Sequence, residues 1–280
     1  MPLFLASLNS GSNGNCYYVG NREEAVLIDA GLSCKETEIR MQRCGLEMGM
    51  VKAIFISHEH ADHINGLCSI VKKHRVAVYI TENTLRNSRI RIDRELIHTF
   101  SACEPVTIGG LSVLPFGKCH DAADPHSFLV RSANTTIGIM TDIGIACNDV
   151  ISHFRHCHAA VLESNYDVEM LANGRYPWVL KKRISGRNGH LSNDEALDLF
   201  VRERPSWMSL LILAHLSQHN NRPDLVQQMF EEKAGRTKIV IASRHNETQV
   251  FEVAGNGEKV LPAAVVKRKI VPAQVQLSLF

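Results

Sequence analysis

What this chain lacks narrows its class before any motif is considered. No apolar run approaches ~20 residues, so no membrane-spanning helix is expected. The opening Met1-Pro2-Leu3-Phe4-Leu5-Ala6 has neither the basic start nor the long apolar stretch of a secretory signal, so a cytoplasmic location is expected. The eight cysteines are scattered and include no C-x-x-C pair, which fits reduced thiols better than a disulfide framework. A net charge of only +2 does not argue for nucleic acid, so local clusters must carry any such reading. Internal repeats and low-complexity segments are also missing. The chain has 280 residues, 45% of them hydrophobic, enough to bury a sizeable core in one large domain or two small ones.

The densest chemistry is Ser57-His58-Glu59-His60-Ala61-Asp62-His63-Ile64-Asn65-Gly66. It follows an apolar run at 51–56 that reads as a buried strand, and Ile64, Leu67, Ile70 and Val71 then recur at helical spacing. Three imidazoles and a carboxylate on a strand-to-helix loop suit Zn, Mn or Fe, and without a metal they would compete for partners. Upstream, 10–15 is a turn between strand-like runs at 4–8 and 16–19: a hairpin tip or a loop of backbone donors. The run 25–29 is a strand ending on Asp29. After a strand at 76–80, Thr81 caps a helix starting near Glu82. Arg86, Arg89, Arg91 and Arg94 in that region form either a solvated face or a track for phosphates.

Downstream, strand after strand ends on reactive side chains. The run 111–116 leads to His120, 136–141 to Asp142, and 159–162 to Glu163-Ser164-Asn165. The run 210–214 delivers His215-Leu216-Ser217, and 239–243 delivers Arg244-His245-Asn246. Between them lie the basic group Lys181-Lys182-Arg183 and then His190, which faces a cleft or fills a turn. Ser192 and Glu195 read as a capping box, and Pro223 opens a helix reaching to about 232. Strands lead into helices in two successive halves, as expected of two facing sheets flanked by helices.

The H-x-H-x-D-H loop after a hydrophobic strand resembles the signature of the metallo-β-lactamase fold, and the ordered strand ends extend the likeness over residues 1 to about 265. The resemblance implies an α/β fold, an αββα sandwich of two mixed sheets. It also implies two divalent metal ions: His58, His60 and His120 on the first, Asp62, His63 and His245 on the second, Asp142 bridging. Asp29 would support the metal loop from behind. Such a centre activates water and neutralises an oxyanion. Asp62, Asp142 and His215 would carry the chemistry, with His215, in an H-x-S element like that of RNase Z, as proton donor or phosphate partner.

Within the superfamily the chain resembles the YycJ/WalJ-like branch, through S-G-S-N-G-N-C at 10–16, E-S-N-Y-D-V-E-M-L at 163–171, G-H-L-S-N at 189–193 and H-L-S-Q-H-N-N at 215–221. That likeness implies a 5′ to 3′ exonuclease on double-stranded DNA. His190, Asn165, Arg86 and Arg89 are the expected substrate contacts. A small-molecule or cyclic-nucleotide phosphodiesterase is the alternative enzyme, and a non-catalytic metal-containing clamp-binding protein the alternative of another class. The tail, 266–280, ends Gln276-Leu277-Ser278-Leu279-Phe280, which resembles the pentapeptide that binds the bacterial β sliding clamp. Gln276, Leu277, Leu279 and Phe280 would be its anchors.

Overall fold

The structure, a computed structural model, describes residues 1–255 and 261–262. The expected boundary near 265 and the terminal pentapeptide lie outside the described residues. Strands β1 (Leu3–Asn9), β2 (Cys16–Gly20), β3 (Ala25–Ile28), β4 (Val51–Phe55), β5 (Ala77–Ile80) and β6 (Ile97–Thr99) build one sheet. Strands β7 (Val106–Ile108), β8 (Leu111–Gly117), β9 (His126–Ser132), β10 (Thr135–Met140), β11 (Ala159–Glu163), β12 (Leu210–Ala214) and β13 (Lys238–Ile241) build the second. The chain then returns to the first sheet with β14 (Phe251–Val253) and β15 (Leu261–Pro262). The orders are β15-β14-β1-β2-β3-β4-β5-β6 and β13-β12-β11-β10-β9-β8-β7. Both sheets are mixed: β3 to β6 and β10 to β13 are parallel, the remaining pairs antiparallel.

The apolar runs are continuous because both faces of these strands are covered. Side chains alternate along each strand. Thus Ala53 and Phe55, Ile137 and Ile139, and Leu210 and Ile212 meet between the sheets. Their neighbours Ile54, Met140 and Leu211 face outward onto helices. Helices α1 (Cys34–Arg43), α2 (Ala61–Ile64), α3 (Leu67–His74) and α4 (Glu82–Asn87) belong to the first half, and Met41, Ile70 and Val71 of α1 and α3 cover its sheet. In the second half, α5 (Asn148–Phe154), α6 (Val168–Asn173), α7 (Trp178–Ile184), α8 (Asn193–Glu203) and α9 (Pro223–Glu231) follow. Phe154, Phe200 and Phe230 from α5, α8 and α9 pack on that sheet. The result is the αββα sandwich expected from the strand order. The capping box of Ser192 and Glu195 opens α8, and Thr81 caps α4. No described helix is long and apolar enough to cross a membrane.

Parallel strands send their carboxyl ends to one rim, where loops carry function. Three residues just past such ends, Asp29, Asp142 and His215, have left-handed backbone at φ 63°, 55° and 58°. Non-glycine residues take this conformation at a cost and cluster at functional sites. The rim is stapled together by backbone bonds: Asn15 N to Asp62 O at 2.7 Å, Ala30 N to His63 O at 2.7 Å, and Gly66 N to Ala30 O at 2.8 Å. Gly31 sits in this crossing, where a Cβ would lie 1.8 Å from Asp62 O. Gly31→Ala is therefore expected to destabilise the fold by ~1–3 kcal/mol and to weaken metal binding, because the Asp62 backbone must move. Denaturant unfolding and metal titration measure both, with Gly49→Ala, whose Cβ meets nothing within 4 Å, as the unchanged control.

Candidate metal centre

Ligand-capable atoms of His58, His60 and His120 lie within 4.8 Å of one another, and so do those of Asp62, His63 and His215. Asp142 stands between the two groups. One of its oxygens, Oδ2, is 3.2 Å from His63 Nε2; Oδ1 is 3.5 Å from His215 Nδ1 and 3.9 Å from His120 Nε2. The structure thus brings together His58, His60, Asp62, His63, His120 and Asp142, the residues the sequence pointed to, on the ends of β4, β8 and β10.

His245 does not join them. Its side chain is exposed, and its backbone is held by Ser243 Oγ and by Arg40, which donates to the His245 carbonyl at 3.0 Å. The reason is sheet order. β13 is the edge strand, three places from β10, about 14 Å at ~4.8 Å per strand. β12 is one place nearer, and His215 at its end, turned inward by its left-handed backbone, takes the position expected of His245. Its Nε2 is 3.6 Å from Asp62 Oδ2.

A buried frame fixes each ring. Asp29 accepts from Ser57 N at 2.8 Å, Ser57 Oγ at 2.8 Å and His63 Nδ1 at 2.7 Å, so His63 presents Nε2 to the centre. His120 donates from Nδ1 to Gly189 O at 3.0 Å. Asn15, in the loop between β1 and β2, reaches Asp62 Oδ2 at 3.1 Å, which places that hairpin tip at the rim. Buried Lys118 donates its ammonium to Thr141 O at 2.7 Å, beside Asp142. Asn165, expected against substrate, is buried instead and donates to the His215 carbonyl at 2.7 Å. It holds His215 and does not line a cleft. Arg86 is exposed and ion-paired with Glu82 at 3.0 Å, and Arg89 is exposed in the segment after α4; neither enters the cluster.

Glu163, at the end of β11, was not singled out as a site residue from sequence. Its Oε1 receives His190 Nδ1 at 2.8 Å and His215 Nδ1 at 2.9 Å; Oε2 receives Ile143 N at 2.6 Å and Leu191 N at 3.3 Å. Burial pushes this carboxyl up, but the two imidazoles outweigh it and hold it down at about 2. Nδ1 of His190 being so used, Nε2 is the nitrogen left for the cleft. The His190 side chain is 21% exposed, with its ring centroid 5.3 Å from His120 and 5.1 Å from His215.

The donor set fits divalent metal. Buried His120 Nε2, Asp142 Oδ2 and His215 Nε2 have no hydrogen-bond partner among the described residues, a costly state for polar atoms without a ligand. Charge agrees. Burial pulls the His215 imidazole down, yet Asp142, Asp62 and Glu163 raise it to about 10, and His63 is raised for similar reasons by Asp142, Asp29 and Asp62. His120, where burial dominates, is lowered to about 4 and stays a neutral donor. A site with this excess of carboxylate attracts cations, and its imidazole and carboxylate donors suit transition metals.

Two facing mixed sheets with histidines and carboxylates gathered on one rim define a metal-dependent hydrolase of metallo-β-lactamase fold. The chain belongs to the β-lactamase superfamily, whose family description, "Beta-lactamase superfamily domain", matches residues 24–216, and within it to the YycJ/WalJ branch. It is 38% identical over 242 residues to exodeoxyribonuclease YycJ of Bacillus anthracis, covering 83% of this chain and 91% of that protein. It is 31% identical over 223 residues to exodeoxyribonuclease WalJ of Streptococcus pneumoniae, covering 78% and 83%. Among solved structures, the metallo-β-lactamase fold protein YhfI of Bacillus subtilis superposes with a TM-score of 0.70 at 14% identity, covering 90% of this chain and all of that one.

Proposed function

We propose that this protein is a two-metal phosphodiesterase that removes nucleotides from DNA, from 5′ ends of double strands. The observation that carries the chemistry is the pair of ligand clusters meeting at Asp142, with the partly exposed His190 grouped against Asp142, Glu163 and His215. Relatives named exodeoxyribonucleases support DNA as the substrate. In this reading His58, His60 and His120 would hold one ion, Asp62, His63 and His215 the other, and Asp142 would serve both. Zn, Mn or Fe held there would supply the positive charge that polarises a phosphoryl oxygen and eases deprotonation of water.

The chain's own groups do the rest. Asp29 and Glu163 lock the His63 and His215 rings with Nε2 inward. Phosphodiester hydrolysis breaks one P–O bond and leaves an oxygen that needs a proton. His190, held by Glu163 and open on its other nitrogen, is placed to give that proton or to bind a phosphate oxygen. Arg86, Arg89 and the Lys181-Lys182-Arg183 group are proposed to follow the phosphate backbone.

The tail adds a partner. Gln276, Leu277, Leu279 and Phe280 match the clamp-binding pattern, and burying three apolar anchors against the cost of ordering a tail leaves a micromolar affinity, about 8 kcal/mol. Such tethering would bring the nuclease to DNA under replication or repair. The test uses 5′-labelled duplex with Mn²⁺, with and without purified clamp, for the full chain and one ending at Gln274. Release of labelled mononucleotides, stimulated by clamp for the full chain alone, is expected. Failure to cut DNA while bis(p-nitrophenyl) phosphate is hydrolysed would favour the small-diester enzyme, and equal clamp binding by both chains would remove the tether.

A further inference from the structure

Helix α7 exposes two large apolar side chains side by side, Trp178 at 67% and Val179 at 73% exposure. Neither packs in any core cluster among the described residues. Isolated exposed hydrophobes are ordinary, but this pair lies in an unusual stretch. From Met170 to Asn193 there is no Asp or Glu, while Arg175, Lys181, Lys182, Arg183 and Arg187 are all basic, in a chain whose net charge is only +2. One helical turn on from Trp178, Lys182 sets its ammonium 4.4 Å from the indole centroid. One turn on from Val179, Arg183 donates to Asp121 Oδ2 at 2.6 Å, and the other oxygen of Asp121 is 3.5 Å from His120 Nε2. At the far end of the helix Ile184 O accepts His190 N at 2.8 Å. The apolar, cationic segment therefore runs directly into the metal centre.

We propose that Trp178, flanked by Val179 and Lys182, is a stacking platform for a nucleobase of the DNA strand whose phosphodiester lies at the metal centre. With Lys182 lying over one face of the indole, the opposite face is the one left for a base, and the ammonium supplies the strand's phosphate with a counter-charge, which is how sequence-neutral strand binding is built. The assignment rests on the DNA reading above. It explains why apolar bulk and positive charge occur together here: a small diester would need neither. A membrane surface would also attract Trp with Lys, but it would leave the anchoring of Arg183 and Ile184 to the catalytic rim without purpose.

Base-on-aromatic stacking changes affinity by about 5- to 150-fold, so Trp178→Ala is expected to raise the KM for DNA about tenfold, and Trp178→Phe to restore most of it. The ratio of kcat/KM on DNA to that on bis(p-nitrophenyl) phosphate should fall by the same factor, with metal content unchanged. The protein has two tryptophans, so Trp207→Phe leaves Trp178 as the sole indole. Its fluorescence in the metal-loaded chain should be quenched by phosphorothioate-protected DNA and less so when the terminal nucleotides are abasic. A Trp178→Ala variant that cuts DNA with normal KM overturns the platform and leaves the nuclease reading standing. A wild-type chain that hydrolyses the small diester but no DNA overturns both. A blue shift on anionic phosphatidylglycerol vesicles without any response to DNA overturns the platform in favour of a membrane contact.

Discussion

Asp142→Ala is expected to lower kcat by about 10⁴-fold or more, ~5 kcal/mol of transition-state stabilisation, while far-UV circular dichroism stays native. The magnitude follows from position. Asp142 is the group that approaches both clusters, and its Oδ2 is among the buried atoms without a hydrogen-bond partner. On the two-ion reading proposed above, removing it would take a ligand from both ions, so metal per chain should fall from two towards one. The fold is expected to survive because the rest of the frame stays: Glu163 keeps its four contacts and Lys118 keeps the Thr141 carbonyl. A variant retaining a tenth of wild-type turnover, or full metal content, would take the bridging role from Asp142.

The second large effect separates three histidines. His190→Ala should lower kcat by about 10²–10⁴-fold, the usual weight of a general acid, with metal content unchanged. His215→Ala should instead lose about one metal ion per chain, because its Nε2 faces Asp62 from inside the cluster. His245→Ala should change turnover by no more than about twofold, since its side chain is on the surface. Elemental analysis beside steady-state kinetics on the three variants distinguishes these roles. Loss of metal in His245→Ala, with none in His215→Ala, would restore the assignment that strand-end order alone suggests.

That reversal marks where sequence reading stops. Apolar runs buried on both faces made the inner strands legible, and short polar side chains following them marked the rim. Edge elements were harder. The strands β6 and β7 are three residues each and half exposed, so neither alternation nor a long apolar run marks them. Strand β9 opens on His126-Ser127 and was hidden by those polar residues, which the fold buries. Two neighbouring strands, β12 and β13, both deliver a histidine, and only the spatial order of strands says which one lies over Asp142. Glu163 was visible at a strand end, but its value comes from two rings 27 and 52 residues further along the chain, at 190 and 215, which no local pattern encodes. Trp178 had no periodicity to mark it; its exposure is a fact of three dimensions.

Glu163 has one further consequence. A single oxygen atom receives both the ring that faces Asp62 and the ring that faces the cleft, so the two histidines share a tether. The His190 end of that tether is bonded to the last turn of α7 through Ile184. Three hydrogen bonds in series, Ile184 to His190 to Glu163 to His215, thus join the basic outer helix to the inner histidine and carboxylate cluster. On the readings proposed above, a strand leaning on α7 would pull on the same linkage that holds the His215 ring.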